Sequence, residues 1–332
     1  MKRFLLFLIS FSLLPGLYAE VRVVTTLPVY AQLAAMVGGN HVRAESIGLP
    51  GQDPHFVRPK PSYALKVRKA DLFVTTGLDL ELWVPALLDR AGNPEVLEGG
   101  KGYVSASAGM NLLEIPSSFS RSEGCIHVYG NPHVYISPFN ILIAAENIMH
   151  GLSRIDPDHA AEYETSYQHY RTRILERMFG RTLLSKVPEK ELITLTEQGE
   201  LYSYLKEHNL IDFMEGWSKK GYPLHGKKII TYHKAWIYFC KPFGIEVVGH
   251  VEEKVGIPPS VKHISNLTKR IRQEGIRVIL TADYYDLDKV QRIAQATGCR
   301  AVIVPTQPDE TYPTFEALMD GWLDRLLAAF SE

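Results

Sequence analysis

The sequence predicts an α/β protein with two lobes of mainly parallel sheet and a long connecting helix between them. Two observations carry this. β-Branched runs alternate with segments of helical period before residue 155, and the same alternation resumes after residue 227. Between them, Tyr163, Tyr167, Tyr170 and Ile174 repeat at helical spacing along one amphipathic stretch. A chain of 332 residues is long enough for two domains with separate cores.

The elements follow in order. Lys2 and Arg3 precede an apolar run that ends in Leu17-Tyr18-Ala19, the plan of a secretory signal peptide over residues 1–19. The run is short for a membrane span, and no cysteine follows it, so a lipid anchor is not expected. The first lobe is expected over 20–155. Residues 21–26 read as a buried strand, 30–37 as a helix closed by Gly38-Gly39, and 42–49 as a second strand. The breaker-rich loop Pro50-Gly51-Gln52-Asp53-Pro54-His55 comes next, then a helix over 61–70, a strand over 71–76 and a helix over 80–91. A weaker strand falls within 96–108. Residues 113–130 have no convincing period and read as a surface loop, and 141–152 are helical.

The connecting helix is expected over 156–178, opened by Asp156-Pro157-Asp158. Residues 179–226 read as a helical insert. The second lobe, 227–332, shows strands at 229–231, 245–250, 276–281 and 301–304. Helices follow each of them, one capped by Ser260.

Composition narrows the function classes. A net charge of −1 gives no electrostatic reason to expect nucleic acid. No glycine-rich phosphate loop or GxSxG elbow appears at a strand-to-helix turn. Of the three cysteines, Cys125, Cys240 and Cys299, the last two share the second half and are the expected pair in an oxidising compartment.

Three histidines stand out. His133 lies in Gly130-Asn131-Pro132-His133, where Pro132 biases Asn131 toward an extended backbone. Ser137-Pro138 then reads as a cap and first position of a helix. His55 and His233 directly follow predicted strands, and ligands of open α/β sheets bind at strand carboxyl ends. Neutral imidazole suits zinc, and three histidines plus an oxygen form a familiar ligand set. Local hydrogen bonding is the plainer alternative for each, because only tertiary structure can bring them together.

The chain resembles the metal-binding solute-binding proteins of ABC transporters, the cluster whose two lobes are joined by one rigid helix. The matching pieces are Val23-Val24-Thr25-Thr26, Gly51-Gln52-Asp53-Pro54-His55, Gly130-Asn131-Pro132-His133, Thr231-Tyr232-His233-Lys234-Ala235-Trp236 and Pro258-Pro259-Ser260. The resemblance implies metal ligands at His55, His133 and His233, meeting between the lobes, with the mid-chain helix as connector. It also implies an aspartate from the loop after the last strand. That loop reads Pro305-Thr306-Gln307-Pro308-Asp309-Glu310, so Asp309 is the expected fourth ligand, with Asp283, Glu310 or water as alternatives. Where many zinc-carrying relatives have a long His-rich insert, this chain has only Cys125 and His127, and His127 is expected to be an exposed loop residue.

The function implied is capture of Zn2+ as transported ligand, with Mn2+ second, by a periplasmic monomer that serves an ABC transporter membrane permease and is not an enzyme. His233 favours zinc, since manganese-type relatives tend to carry a carboxylate there. The rival readings are a secreted zinc hydrolase using Glu252 or Asp283 as base, and a metal-containing adhesin.

Overall fold

The structure is a computed structural model that describes residues 20–116, 127–252 and 254–331. The expected signal segment 1–19 and Cys125 lie outside the described residues.

Each lobe is a four-stranded parallel sheet. The first contains β1 (Val21–Thr25), β2 (Val42–Ser46), β3 (Leu72–Thr75) and β4 (Tyr103–Ser105), in the order β2-β1-β3-β4. The second contains β5 (Lys228–Thr231), β6 (Glu246–His250), β7 (Val278–Ala282) and β8 (Arg300–Val304), in the order β6-β5-β7-β8. The two sheets therefore share one topology, with the chain reversing direction beside its first strand. The inner strands β3 and β7 are buried at every residue, as strands covered on both faces must be.

Helices cover the sheets. Those of the first lobe are α1 (Pro28–Gly38), α2 (Pro61–Arg68), α3 (Val84–Ala91) and α4 (Asn140–Ile155). Prolines open α1 and α2 at positions where no helical N–H is lost. Ser137 does cap the start of α4, accepting from the Phe139 and Asn140 amides at 3.2 Å.

The connector is a 3-10 turn, Pro157–His159, followed by α5 (Ala160–Leu184), which breaks helical geometry at Gly180. Then come α6 (Glu189–Gln198), α7 (Leu201–Glu207) and α8 (Gly216–Gly221). The second lobe adds α9 (Ile237–Cys240), α10 (Val261–Glu274), α11 (Leu287–Thr297) and α12 (Phe315–Ser331). Among the described residues, no helix is long and apolar enough to cross a membrane.

The core explains how the lobes hold together. One continuous apolar cluster runs from Val23 and Leu72 of the first sheet, through Tyr163, Tyr170, Ile174 and Met178 of α5, to Val278 and Val302 of the second. Smaller clusters sit on the outer face of each sheet, one around Phe73 and Leu87, the other around Ile230 and Ile279. The tyrosines of α5 are thus packing residues, not a binding stripe.

The expected Cys240–Cys299 bridge is absent, and both thiols are free and buried. Cys240 lies in the shared core and Cys299 in the outer cluster of the second lobe, on opposite faces of the same sheet. Cys299 instead donates to the Ile276 carbonyl.

A buried carboxylate closes the carboxyl ends of β1 and β3. Glu81 accepts from the Thr26 hydroxyl at 2.7 Å, the Thr76 amide at 3.0 Å and the Thr75 hydroxyl at 3.2 Å. Burial nevertheless raises its pKa above the ordinary 4.5. A carboxyl whose folded pKa is raised stabilises the fold at low pH, and that contribution is lost as pH rises from about 4.5 through the folded value. Glu81→Gln should therefore flatten the pH dependence. In urea unfolding at about pH 4 and about pH 8, the parent should lose about 1.4 kcal/mol more than the variant for each unit of elevation between them. Parallel pH profiles would contradict this account.

Candidate metal centre

The three histidines are delivered by short, similar devices. After β2, Asp53-Pro54-His55 turns so that the Asp53 carboxylate accepts from the His55 amide at 2.9 Å and from its ring Nδ1 at 2.8 Å. Trp83 Nε1 pins the turn by donating to the Pro54 carbonyl. Asn131-Pro132-His133 repeats the arrangement, Asn131 Oδ1 accepting from the His133 amide at 3.0 Å and from Nδ1 at 2.9 Å. In both, the side chain two residues upstream folds onto the histidine's own backbone, as Asx turns do, and proline stiffens the step between.

His233 is held differently. The Thr231 hydroxyl, at the end of β5, donates to the His233 carbonyl at 2.8 Å. Glu252, just past β6, puts Oε2 3.1 Å from His233 Nδ1, with the ring turned off the hydrogen-bond line. Its Oε1 accepts from the Gly256 amide.

The Nδ1 atoms of His55 and His133 thus bond to oxygen, from Asp53 and Asn131, whereas His233 Nδ1 lies near Glu252 without a hydrogen bond. An Nδ1–H so oriented leaves Nε2 with its lone pair, the tautomer a metal ligand needs. The donor atoms of His55, His133 and His233 all lie within 4.8 Å of one another. Their ring centroids are 5.1, 5.2 and 5.8 Å apart. Nε2 of His133 and of His233 is buried with no hydrogen-bond partner. An unpartnered buried polar atom is costly, and a cation at the common point would satisfy both.

The surroundings keep the His133 ring neutral. His133 is 1% exposed, and burial, reinforced by the neighbouring imidazoles, holds its pKa well below the histidine range. The wall beside His233 is aromatic: Tyr285 stacks on Tyr232 at 4.4 Å and lies 6.1 Å from the His233 ring. Burial drives the hydroxyls of Tyr135, Tyr284 and Tyr285 well above the usual tyrosine pKa.

The carboxylates considered for a fourth position are placed otherwise. Asp309 is not in the donor group, and its Oδ1 accepts from the amides of Thr311 and Tyr312 at 2.8 and 2.6 Å, capping its own turn. Glu310 is exposed. Asp283 is also outside the group. It faces Gly51 across the cleft, and its pKa is raised by burial and by nearby Asp309.

His127 departs from expectation. It is half-buried rather than exposed, with Nδ1 buried and Nε2 3.3 Å from His55 Nε2. Burial and the charges of His55 and His233 push its pKa down to about 3. His250 donates from Nδ1 to the Thr231 hydroxyl at 2.8 Å, since that hydroxyl's proton goes to the His233 carbonyl.

A second set, His41, His159 and Glu162, also brings donor atoms within 4.8 Å. There the His41 and His159 rings stack at 3.7 Å with 24° between planes. Their in-plane lone pairs run side by side instead of meeting at one tetrahedral ion. With Asp156 on His159 Nδ1 and Glu162 on His41 Nε2, this set fastens the end of α1 to the start of α5.

Two functional supports, Asp53 and Asn131, were readable but unread in the sequence. Their signal is the repeat of an Asx-Pro-His triplet at 53–55 and 131–133.

Comparison with known proteins agrees with this geometry. The sequence profile described as "Zinc-uptake complex component A periplasmic" matches residues 23–208 and 203–329. The iron-binding protein YfeA of Yersinia pestis is 25% identical over 323 residues, covering 94% of this chain and 87% of that protein. The manganese ABC transporter substrate-binding lipoprotein ScaA of Streptococcus gordonii is 26% identical over 198 residues, 58% of this chain and 60% of that protein. Among solved structures, a zinc-bound 138–173 deletion mutant of ZnuA superposes with a TM-score of 0.69 at 17% identity, covering 93% of this chain and 98% of that one. A manganese-bound periplasmic metal-binding protein of Candidatus Liberibacter asiaticus gives 0.65 at 16% identity, covering 93% and 99%. This chain belongs to the periplasmic zinc-uptake component A family, the metal substrate-binding proteins of ABC transporters.

Proposed function

We propose that this chain captures zinc between its lobes, with His55, His133 and His233 as ligands, and delivers it to an ABC permease. The observation that carries the reading is the pair of buried, partnerless Nε2 atoms on His133 and His233, one from each lobe. Zinc is favoured over manganese or iron because the gathered donors are imidazoles, whereas manganese favours oxygen ligands. The metals of the relatives, zinc, iron and manganese, leave that choice to the donor set. Residues 1–19 serve as the export signal, and the mature chain works in the periplasm as a monomer. A hydrolytic role is not supported: Glu252 Oε1 is bound to its own loop, and the family is one of metal substrate-binding proteins.

The test is metal capture by the mature protein. One tightly held zinc per chain is expected, retained against excess manganese and without ester or peptide hydrolysis. Preferential retention of manganese, or turnover of a hydrolysable substrate, would overturn the reading.

A further inference from the structure

We propose that His127 is a fourth nitrogen ligand of this centre, so that the ion is held by four imidazoles and no carboxylate. This rests on the reading above and adds to it the coordination shell, and with it the class of ion the site accepts.

The distance is the first argument. Two nitrogens bound to one tetrahedral zinc at about 2.0–2.1 Å sit about 3.3–3.4 Å apart. His127 Nε2 lies 3.3 Å from His55 Nε2. Its ring centroid is 5.3 Å from that of His55 and 6.1 Å from that of His133, close to the spacings within the triad.

Placement is the second. His127 and His133 flank one tight turn. The Gly130 amide donates to the His127 carbonyl at 3.1 Å, and the Asn131 amide donates to Leu113 O at 2.8 Å. Gly130 has φ +121°, and a Cβ there would stand 3.0 Å from the Leu113 carbonyl oxygen, so only glycine fits the turn without strain. The turn that delivers His133 therefore also fixes where His127 leaves the backbone.

The third argument is the placement of the nearby carboxylates: Asp309 Oδ1 caps its own turn, Glu252 Oε1 accepts from the Gly256 amide, and Asp283, outside the three-histidine donor group as His127 also is, faces Gly51. His127 Nδ1 is buried without a hydrogen-bond partner, and its Nε2 meets His55 Nε2. Four neutral nitrogens suit zinc and other borderline divalent ions, and they disfavour manganese, which binds best to oxygen.

X-ray absorption of the zinc-loaded, full-length mature protein reads the shell directly. The parent should show four imidazole nitrogens. His127→Ala should show three plus a light oxygen, with zinc affinity reduced by at least about tenfold. His127→Asp should recover zinc binding and shift the zinc-to-manganese preference toward manganese. Because His127 stands on a loop, the melting temperature of the metal-free variants should match the parent's. An unchanged shell and unchanged affinity in His127→Ala, with His133→Ala still defective, would remove His127 and leave the three-histidine centre standing. A parent that binds no zinc at all would remove both.

Discussion

His133→Ala should weaken zinc binding by roughly a thousandfold, about 4 kcal/mol, while leaving the protein folded. The two halves of that expectation have separate causes. His133 is the most buried of the three gathered histidines, and its backbone and Nδ1 are fixed by Asn131, so no other side chain can take its place. Truncation also removes a buried nitrogen that had no partner, which offsets part of the cost of the cavity it leaves. The metal-free melting temperature should therefore fall less than for an apolar core truncation of similar size. Isothermal titration with a competing chelator, beside a thermal melt, measures both. Undiminished zinc affinity would rule His133 out as a ligand.

Asn131 should give the second large effect, because it touches both lobes. Its Oδ1 holds His133, while its Nδ2 donates to Glu114 Oε2 at 2.7 Å and to the carbonyl of Lys234, the residue after His233, at 2.5 Å. Tyr238 of the second lobe adds a hydroxyl that donates to the Asn131 carbonyl and accepts from the Leu113 amide. Asn131→Ala should cost about 10–100-fold in zinc affinity, the usual penalty for losing a residue that orients a ligand. Asn131→Asp separates the two roles. It keeps an acceptor for His133 but turns the donor into an oxygen facing both Glu114 and the Lys234 carbonyl. If the interlobe link matters, Asn131→Asp should be at least as damaging as alanine. Affinity equal to the parent's in Asn131→Asp would assign Asn131 to His133 alone.

Much of the fold was legible because its signals are local. Strands such as β3 and β7 open on apolar runs of three, and Ser137 and Ser260 mark helix starts through caps a reader can see. The histidines could be singled out for a related reason: His233 stands at the end of β5, where open sheets bind, although β2 ends at Ser46, well before His55. What stayed hidden depends on packing between distant segments. The two cysteines share a half of the chain, yet the sheet separates them, and no spacing records which face a side chain joins. Asp309 looked available because it follows the last strand, but the amides of Thr311 and Tyr312 lie nearer to it than any histidine network does. His127 looked like a loop residue because its segment has no period. Its burial comes from His55, 72 residues earlier in the chain.

The core that runs unbroken through α5 makes the molecule one stiff body rather than a pair of jaws. Prising the lobes apart would expose Ile174, Met178 and Phe179, each worth about 1.5–3 kcal/mol when fully uncovered. The parts that can move without opening this core are the short segments that carry the gathered histidines, among them the turn Asp53-Pro54-His55. A permease that empties this carrier would then work as a picklock, displacing one such turn, while the frame around it keeps its shape.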